Sequence, residues 1–228
     1  MVITGTRKGI GKELAEYYVK KNFIVIGCSR GFSAINHPNY FHFSIDISDE
    51  KSVKQTFKHI SNTYGKIDIL INNAGVNSAH SLVALVSFKS AEDTIKTNFL
   101  GTFLMSKEAI KLMMKNSFGR IINFGSMTVR HEDRGGAIYT ASKAAINTFS
   151  KILSKEIFKH GITVNVISPS AIKTDLMDTL DSTFLNQLLL RNAINEIGTT
   201  SDLINVIDWL ITNESRSITG QNIYLGGA

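Results

Sequence analysis

The sequence predicts an α/β protein, a doubly wound and mostly parallel seven-stranded sheet with helices on both faces, formed as a single domain over residues 1–228. Three observations carry this. Short apolar runs alternate with longer segments of helical period. A glycine loop sits where the first strand turns into the first helix. Polar motifs follow the apolar runs, at the carboxyl ends of strands, where open α/β sheets bind ligands.

Taken in order, a strand at Met1 to Thr4 leads into a helix from Gly9 to about Lys21, then a strand at Phe23 to Cys28, a βαβ unit. A short strand follows at Tyr40 to Ser44, with little room for a helix before it. Asp49 to Tyr64 reads as a helix with Ser48 as its N-cap, and Ile67 to Ile71 as a strand. Phe88 to Lys115 predicts one long helix, Arg120 to Phe124 a buried strand, and Ile138 to His160 a helix rich in small residues. A strand at Thr163 to Ser168, a helix at Ser201 to Thr212 and a strand at Asn222 to Leu225 complete the set. Right-handed crossovers between parallel strands fix the doubly wound topology.

Composition narrows the function classes. An apolar fraction of 43% and only two prolines, Pro38 and Pro169, argue against disorder. The net charge of +6 is dispersed along helices, with Lys107, Lys111 and Lys115, and again Lys151, Lys155 and Lys159, forming solvated stripes, so nucleic acid is not expected as a partner. A single cysteine, Cys28, excludes an internal disulfide and a cysteine-built metal site, and His131-Glu132 lacks further ligands, so no metal is expected. No apolar span is long enough for a membrane, and Met1-Val2-Ile3 run straight into the glycine loop with no room for a signal peptide, which predicts a cytoplasmic protein.

The loop Thr4-Gly5-Thr6-Arg7-Lys8-Gly9-Ile10-Gly11 lets backbone approach a pyrophosphate at a helix N-terminus, and so predicts a dinucleotide. After the second strand, where NAD-binding chains place a carboxylate for the ribose hydroxyls, this chain has Ser29-Arg30. Arg30, with Lys8, suits a 2'-phosphate, so the cofactor expected is NADPH/NADP. Asp46 and Ile47 after the third strand, and Asn73, Ala74 and Gly75 after the fourth, stand ready to line the adenine and sugar.

Ser126, Tyr139 and Lys143 are the candidate chemistry. A ketone that gains hydride develops charge on its oxygen, where Ser126 and Tyr139 can donate hydrogen bonds. A tyrosine near its ordinary pKa of about 10 is a reluctant acid, and an ammonium one helical turn away, Lys143, favours its ionised form. Spacing alone does not identify the pair, because Tyr17 and Lys21 share it on a surface helix. What separates Tyr139 is the strand that ends at Gly125-Ser126.

These residues resemble the classical short-chain dehydrogenase/reductase family over nearly the whole chain. TGTRKGIG is similar to its TGxxxGxG, NNAG at Asn72 to Gly75 is identical to its motif, Asn98 in TNFLG matches its helix asparagine, and Ser126, Tyr139 and Lys143 complete its tetrad. Pro169 stands where the family has Pro-Gly, and Ile218-Thr219-Gly220-Gln221 is similar to its entry into the last strand. The resemblance implies a Rossmann-type fold, a proton route through a water held by Asn98, and cofactor contacts from Tyr139, Lys143, Pro169, Ile172 and Thr174. It also implies a homodimer or homotetramer through the helices carrying Asn98 and Tyr139, which Ala141, Ala144 and Ala145 would let approach closely. Departures are Ser170 for glycine, Gly226 for Asp or Asn, Glu196 for arginine, and a first strand several residues shorter than usual.

The loop Arg130-His131-Glu132-Asp133-Arg134 is either a solvated loop or a mouth for a polar or anionic substrate. The Leu- and Met-rich stretch from Thr174 to Gly198 is either a substrate lid or oligomer packing. GRIINFGS, YTASKAA and GITVNVISPS are most similar to 3-oxoacyl-[acyl-carrier-protein] reductases, which implies a carrier-bound 3-oxoacyl thioester as substrate and an acyl carrier protein as partner. A sugar, nucleotide-sugar or secondary-metabolite ketone, and a dinucleotide-binding member that does not turn over, are the alternatives.

Overall fold

Seven strands pair in the order β3-β2-β1-β4-β5-β6-β7, and all six pairings are parallel. The computed structural model describes residues 1–77, 81–173 and 189–227. The strands are β1 (Val2–Thr4), β2 (Val25–Ser29), β3 (Tyr40–Ser44), β4 (Ile69–Asn72), β5 (Gly119–Phe124), β6 (Ile162–Pro169) and β7 (Asn222–Leu225). The helices are α1 (Gly9–Lys20), α2 (Glu50–Tyr64), α3 (Phe88–Ile95), α4 (Thr102–Met113), α5 (Thr128–His131), α6 (Ala137–Ile157) and α7 (Thr200–Leu210). The order reverses between β1 and β4, which opens a crevice at the carboxyl ends of those strands.

Alternation along each strand separates two cores. Leu70, Ile121 and Val164 face one side, where Val53 and Phe57 of α2, Met105 and Ala109 of α4 and Leu153 of α6 pack. Ile71, Ile122 and Ile167 face the other, against Leu14 and Tyr18 of α1 and Leu203 and Ile207 of α7. Helices therefore cover both faces, as the alternating pattern predicts.

Several local details differ from the sequence expectation: β4 runs from Ile69 to Asn72 rather than Ile67 to Ile71, and a short helix, α5, forms at Thr128–His131 where only a loop was expected. Asp49, not Ser48, caps α2, because its carboxylate accepts the Ser52 N–H at 3.0 Å while the Ser48 N–H and hydroxyl both donate to Asp46 Oδ1. β2 starts at Val25 rather than Phe23, since Asn22 turns into the left-handed region (φ 64°) and the Phe23 N–H bonds back to Tyr18 O to close α1. The long helix is continuous but carries a π-helical turn at Lys96–Gly101 between α3 and α4, centred on Asn98.

Candidate active site

The crevice at the strand-order reversal is a cleft of about 540 Å³. Its floor is the glycine loop, where Gly5 (φ 79°) and Gly9 (φ 57°) adopt left-handed backbone that other residues rarely take. The loop is braced from β4, because the Thr4 hydroxyl accepts the N–H groups of Asn73 (3.0 Å) and Ala74 (2.9 Å) and Asn73 Nδ2 donates to Thr4 O. Gly11 has a different part: a Cβ there would lie 2.4 Å from Gly5 O, so its smallness lets α1 start close behind the loop. No acidic residue lies in the first turn of α1, which leaves its N-terminal field open to an anion.

Most expected cofactor residues meet in this cleft: Gly5, Arg7, Lys8, Gly9 and Ile10 on one wall, Ser29 and Arg30 at one end, and Asp46, Ile47, Asn73, Ala74 and Gly75 opposite. Cys28, Gly31, Ile45, Val76 and Thr97 also line it and were not anticipated; they are apolar or small residues with no motif of their own. Gly31 matters for charge. A Cβ on it would come 2.9 Å from Arg7 Cδ, so the Arg7 side chain lies against the turn that carries Arg30 and brings a further cation to the end with Ser29. His42 holds that turn from β3: its Nε2 lies 2.8 Å from Gly31 O, so that nitrogen carries a proton and donates it. A glycine cradle, a helix N-terminus without acids and paired arginines fit a phosphorylated dinucleotide.

Ser126, Tyr139, Lys143 and Asn98 gather beyond Gly75, where a Cβ would sit 3.3 Å from Asn98 Oδ1 and 3.5 Å from Lys143 Nζ. Gly75 is thus the joint between the cleft and these four residues. Lys143 is 4% exposed and its Nζ donates to Phe124 O at 2.8 Å, at the end of β5. Burial pulls its pKa down to about 8. Tyr139 is half-buried, and burial of the phenol raises its pKa, while the Ser126 hydroxyl acts in the opposite direction. The expected downward pull of the Lys143 ammonium is therefore not what sets this phenol; Lys143 Nζ stands 5.8 Å from the ring centroid. Asn98 is fully buried and engaged: Oδ1 accepts the Val76 N–H at 2.8 Å, and Nδ2 donates to Val76 O and to Ser142 Oγ. Its side chain locks the segment after Gly75 to α6.

The family model for short chain dehydrogenases matches residues 1–184. The chain belongs to the short-chain dehydrogenase family. It is 38% identical to the 3-oxoacyl-[acyl-carrier-protein] reductase FabG of Buchnera aphidicola subsp. Schizaphis graminum and 32% identical to that of Escherichia coli K12, covering 99% of this chain and 95% of each relative. The structure "ElxO with NADP Bound" superposes with a TM-score of 0.90 at 29% identity, over 98% of this chain and 95% of that one. A Tyr-to-Phe variant of ElxO with NADPH bound matches equally well.

Within this short-chain dehydrogenase, Pro169 and Ile172 lie outside the cleft wall and Thr174 falls outside the described residues. Most of the expected lid, residues 174–188, also lies outside them; Leu189 is buried and Leu190 is 71% exposed. The charged loop is not simply solvated. Arg130 stacks on the Tyr224 ring at 4.3 Å, Asp133 pairs with Arg191, and the Asn192 amide donates to Ser170 Oγ at 2.6 Å. His131 sits among them, its pKa lowered by burial and by Arg191 and partly restored by Asn192. The departures at 170 and 226 compensate in size: a Cβ at Gly226 (φ 107°) would meet Ser170 Cβ at 3.1 Å. Among the described residues no group of three or more His, Cys, Asp or Glu could hold a metal, and no helix is long and apolar enough to cross a membrane.

A buried polar ladder had no sequence signal beyond NNAG. Asn72 Nδ2 donates to Asn123 Oδ1 (2.8 Å) and Ser106 Oγ (3.0 Å), and Asn123 Nδ2 donates to Ser150 Oγ (2.8 Å). It ties the ends of β4 and β5 to α4 and α6, and so sets where Tyr139 and Lys143 stand over the sheet.

Proposed function

We propose that this enzyme uses NADPH to reduce a 3-oxoacyl thioester, carried on an acyl carrier protein, to its 3-hydroxy form. The observation that carries the reaction is the gathering of Ser126, Tyr139 and Lys143 at the end of β5, joined through Gly75 to a cleft with a phosphate-suited basic end. The substrate class rests on the relatives that bear that name at up to 38% identity over nearly the whole chain.

In this reading Arg7, Lys8 and Arg30 hold the 2'-phosphate, the glycine loop holds the pyrophosphate, and Asp46, Ile47, Asn73 and Ala74 line the adenosine. NADPH held there would supply the hydride that the carbonyl carbon accepts. Ser126 donates a hydrogen bond to the carbonyl oxygen and stabilises the charge that grows on it. Tyr139 gives that oxygen its proton; burial keeps the phenol loaded at neutral pH, and the Ser126 hydroxyl keeps it from becoming too weak an acid. Lys143, its pKa lowered by burial to about 8, would hold the nicotinamide ribose from beside the Tyr139 ring. Asn98 fixes the Val76 segment against Ser142 on the helix of Tyr139, and the water that the family resemblance implies beside it would return a proton to the phenol.

The enzyme assembles as a homodimer or homotetramer. Leu100 and Phe103 on the helix of Asn98, and Ile152 on α6, are exposed large apolar side chains, and Ala141 on α6 is an exposed small one, which supports pairing through these helices. An NADPH-oxidation assay with an acetoacetyl thioester tests the reaction. Oxidation is expected; oxidation with sugar or other ketones alone would overturn the substrate class, and tight NADPH binding without oxidation of any ketone would overturn the reaction.

A further inference from the structure

Ser126 can help a carbonyl only as a donor, yet a hydroxyl is free to rotate and has one proton against two lone pairs. One residue removes that freedom. The Thr128 N–H donates to Ser126 Oγ at 3.2 Å, and the Thr128 hydroxyl donates to the same oxygen at 3.0 Å. With both lone pairs engaged, the serine has only its proton left to offer. The turn is itself held firmly: Met127 is 2% exposed and its N–H donates to Pro169 O at 3.1 Å, while the Val129 N–H bonds Ser126 O at 3.3 Å. The Thr128 backbone is therefore placed by the fold, and its hydroxyl is the part that depends on residue type. Phenol chemistry agrees, since the Ser126 hydroxyl acts on Tyr139 as a hydrogen-bonding partner that favours the phenolate.

We propose that Thr128 is a positioning residue that makes Ser126 an obligate hydrogen-bond donor, its single proton directed to the Tyr139 phenol in the free enzyme and to the reacting carbonyl oxygen when substrate is bound. The inference rests on the catalytic reading of Ser126 given above. It assigns Thr128 no contact with substrate and no proton of its own to transfer. Without its hydroxyl, one lone pair of Ser126 is released, and the serine proton can turn away from the carbonyl while Ser126 accepts from Tyr139 instead. A fraction of bound complexes then lacks the donor at the moment charge develops.

Thr128→Val keeps the shape and the backbone N–H and removes only the hydroxyl. It is expected to lower kcat with an acetoacetyl thioester about tenfold, with KM and the NADPH dissociation constant, read by cofactor fluorescence, each within about twofold of the parent. Thr128→Ser, which restores the hydroxyl, should return kcat to within about twofold. In a Ser126→Ala background, Thr128→Val should cost less than about twofold more, because a residue that acts through Ser126 has nothing left to orient. An unchanged kcat in Thr128→Val, a failure of Thr128→Ser to restore it, or an undiminished loss in the Ser126→Ala background would overturn the proposal while leaving Ser126 in place. Full turnover by Ser126→Ala alone would instead overturn the assignment of Ser126, and with it this inference.

Discussion

Tyr17 with Lys21 and Tyr139 with Lys143 are the same pair by spacing, and in both the lysine Nζ lies over the tyrosine ring, at 5.5 Å and 5.8 Å from the centroid. Their surroundings differ in every respect that matters for proton transfer. The Tyr17 hydroxyl donates to Asp208 Oδ2 on α7 at 2.7 Å, and Tyr18 donates to the other oxygen at 2.9 Å. That hydrogen bond raises the Tyr17 pKa and commits its proton to a structural carboxylate. Lys21 is exposed at the end of α1. Lys143, in contrast, is buried and donates to a strand-end carbonyl, and Tyr139 has the Ser126 hydroxyl beside it rather than a carboxylate. Helical spacing makes a pair; its place over the sheet decides whether the proton is available.

The sharpest way to break this contrast is to remove each phenol. Tyr139→Phe should lower kcat about a thousandfold or more while the NADPH dissociation constant stays within about twofold, measured by steady-state rates and fluorescence titration. Retained turnover would put the two pairs on the same footing. Arg30→Asp tests what brings hydride to one pair and not the other: NADPH affinity should fall about a hundredfold and NADH should become the better ligand, as titration with both cofactors would report.

Lys143→Met probes the energetic difference between the two lysines. The folded pKa of Lys143, about 8, lies below its ordinary value of 10.5, so below pH 8 the buried ammonium destabilises the fold by about 3 kcal/mol. Between those values the unfolded chain binds more protons than the native one, and this cost fades as pH rises. Lys143→Met should accordingly unfold at higher denaturant than the parent at neutral pH, with the gap closing from pH 8 to 10.5. A gap that widened with pH would reverse the sign of the argument. Tyr17→Phe has the smallest effect: kcat unchanged, and a thermal midpoint lower by at most a few degrees through the lost bond to Asp208.

Strand positions were the most legible part of the fold. β3 and β7 occupy the predicted residues, because short apolar runs bounded by polar residues leave little latitude. Helix termini were less so. Asp49 displaced Ser48 as a cap because the helix starts at Glu50, which puts the Asp49 carboxylate rather than the Ser48 hydroxyl in place to accept the Ser52 N–H. Nothing in TNFLG announces a π turn, and nothing in the run from Arg120 to Phe124 shows how a buried strand accommodates an arginine, whose guanidinium reaches the carbonyls of Gly119, Gly161 and Thr212. Most of the cleft lining was legible because its residues follow strands in sequence. Thr128 was not, since a threonine two residues past a serine carries no signal until the turn folds it back.

The sequence by itself determined the layer architecture, the cleft between β1 and β4 and the residue types that face it, because apolar period and glycine placement act locally and are written along the chain. Tertiary structure alone decided which of two equivalent tyrosine–lysine pairs holds a usable proton, which arginine leans on Gly31, and how the charged loop is spent on Tyr224 and Arg191. Those outcomes depend on burial and on partners as much as 191 residues away in sequence, as with Tyr17 and Asp208, and no local pattern encodes them.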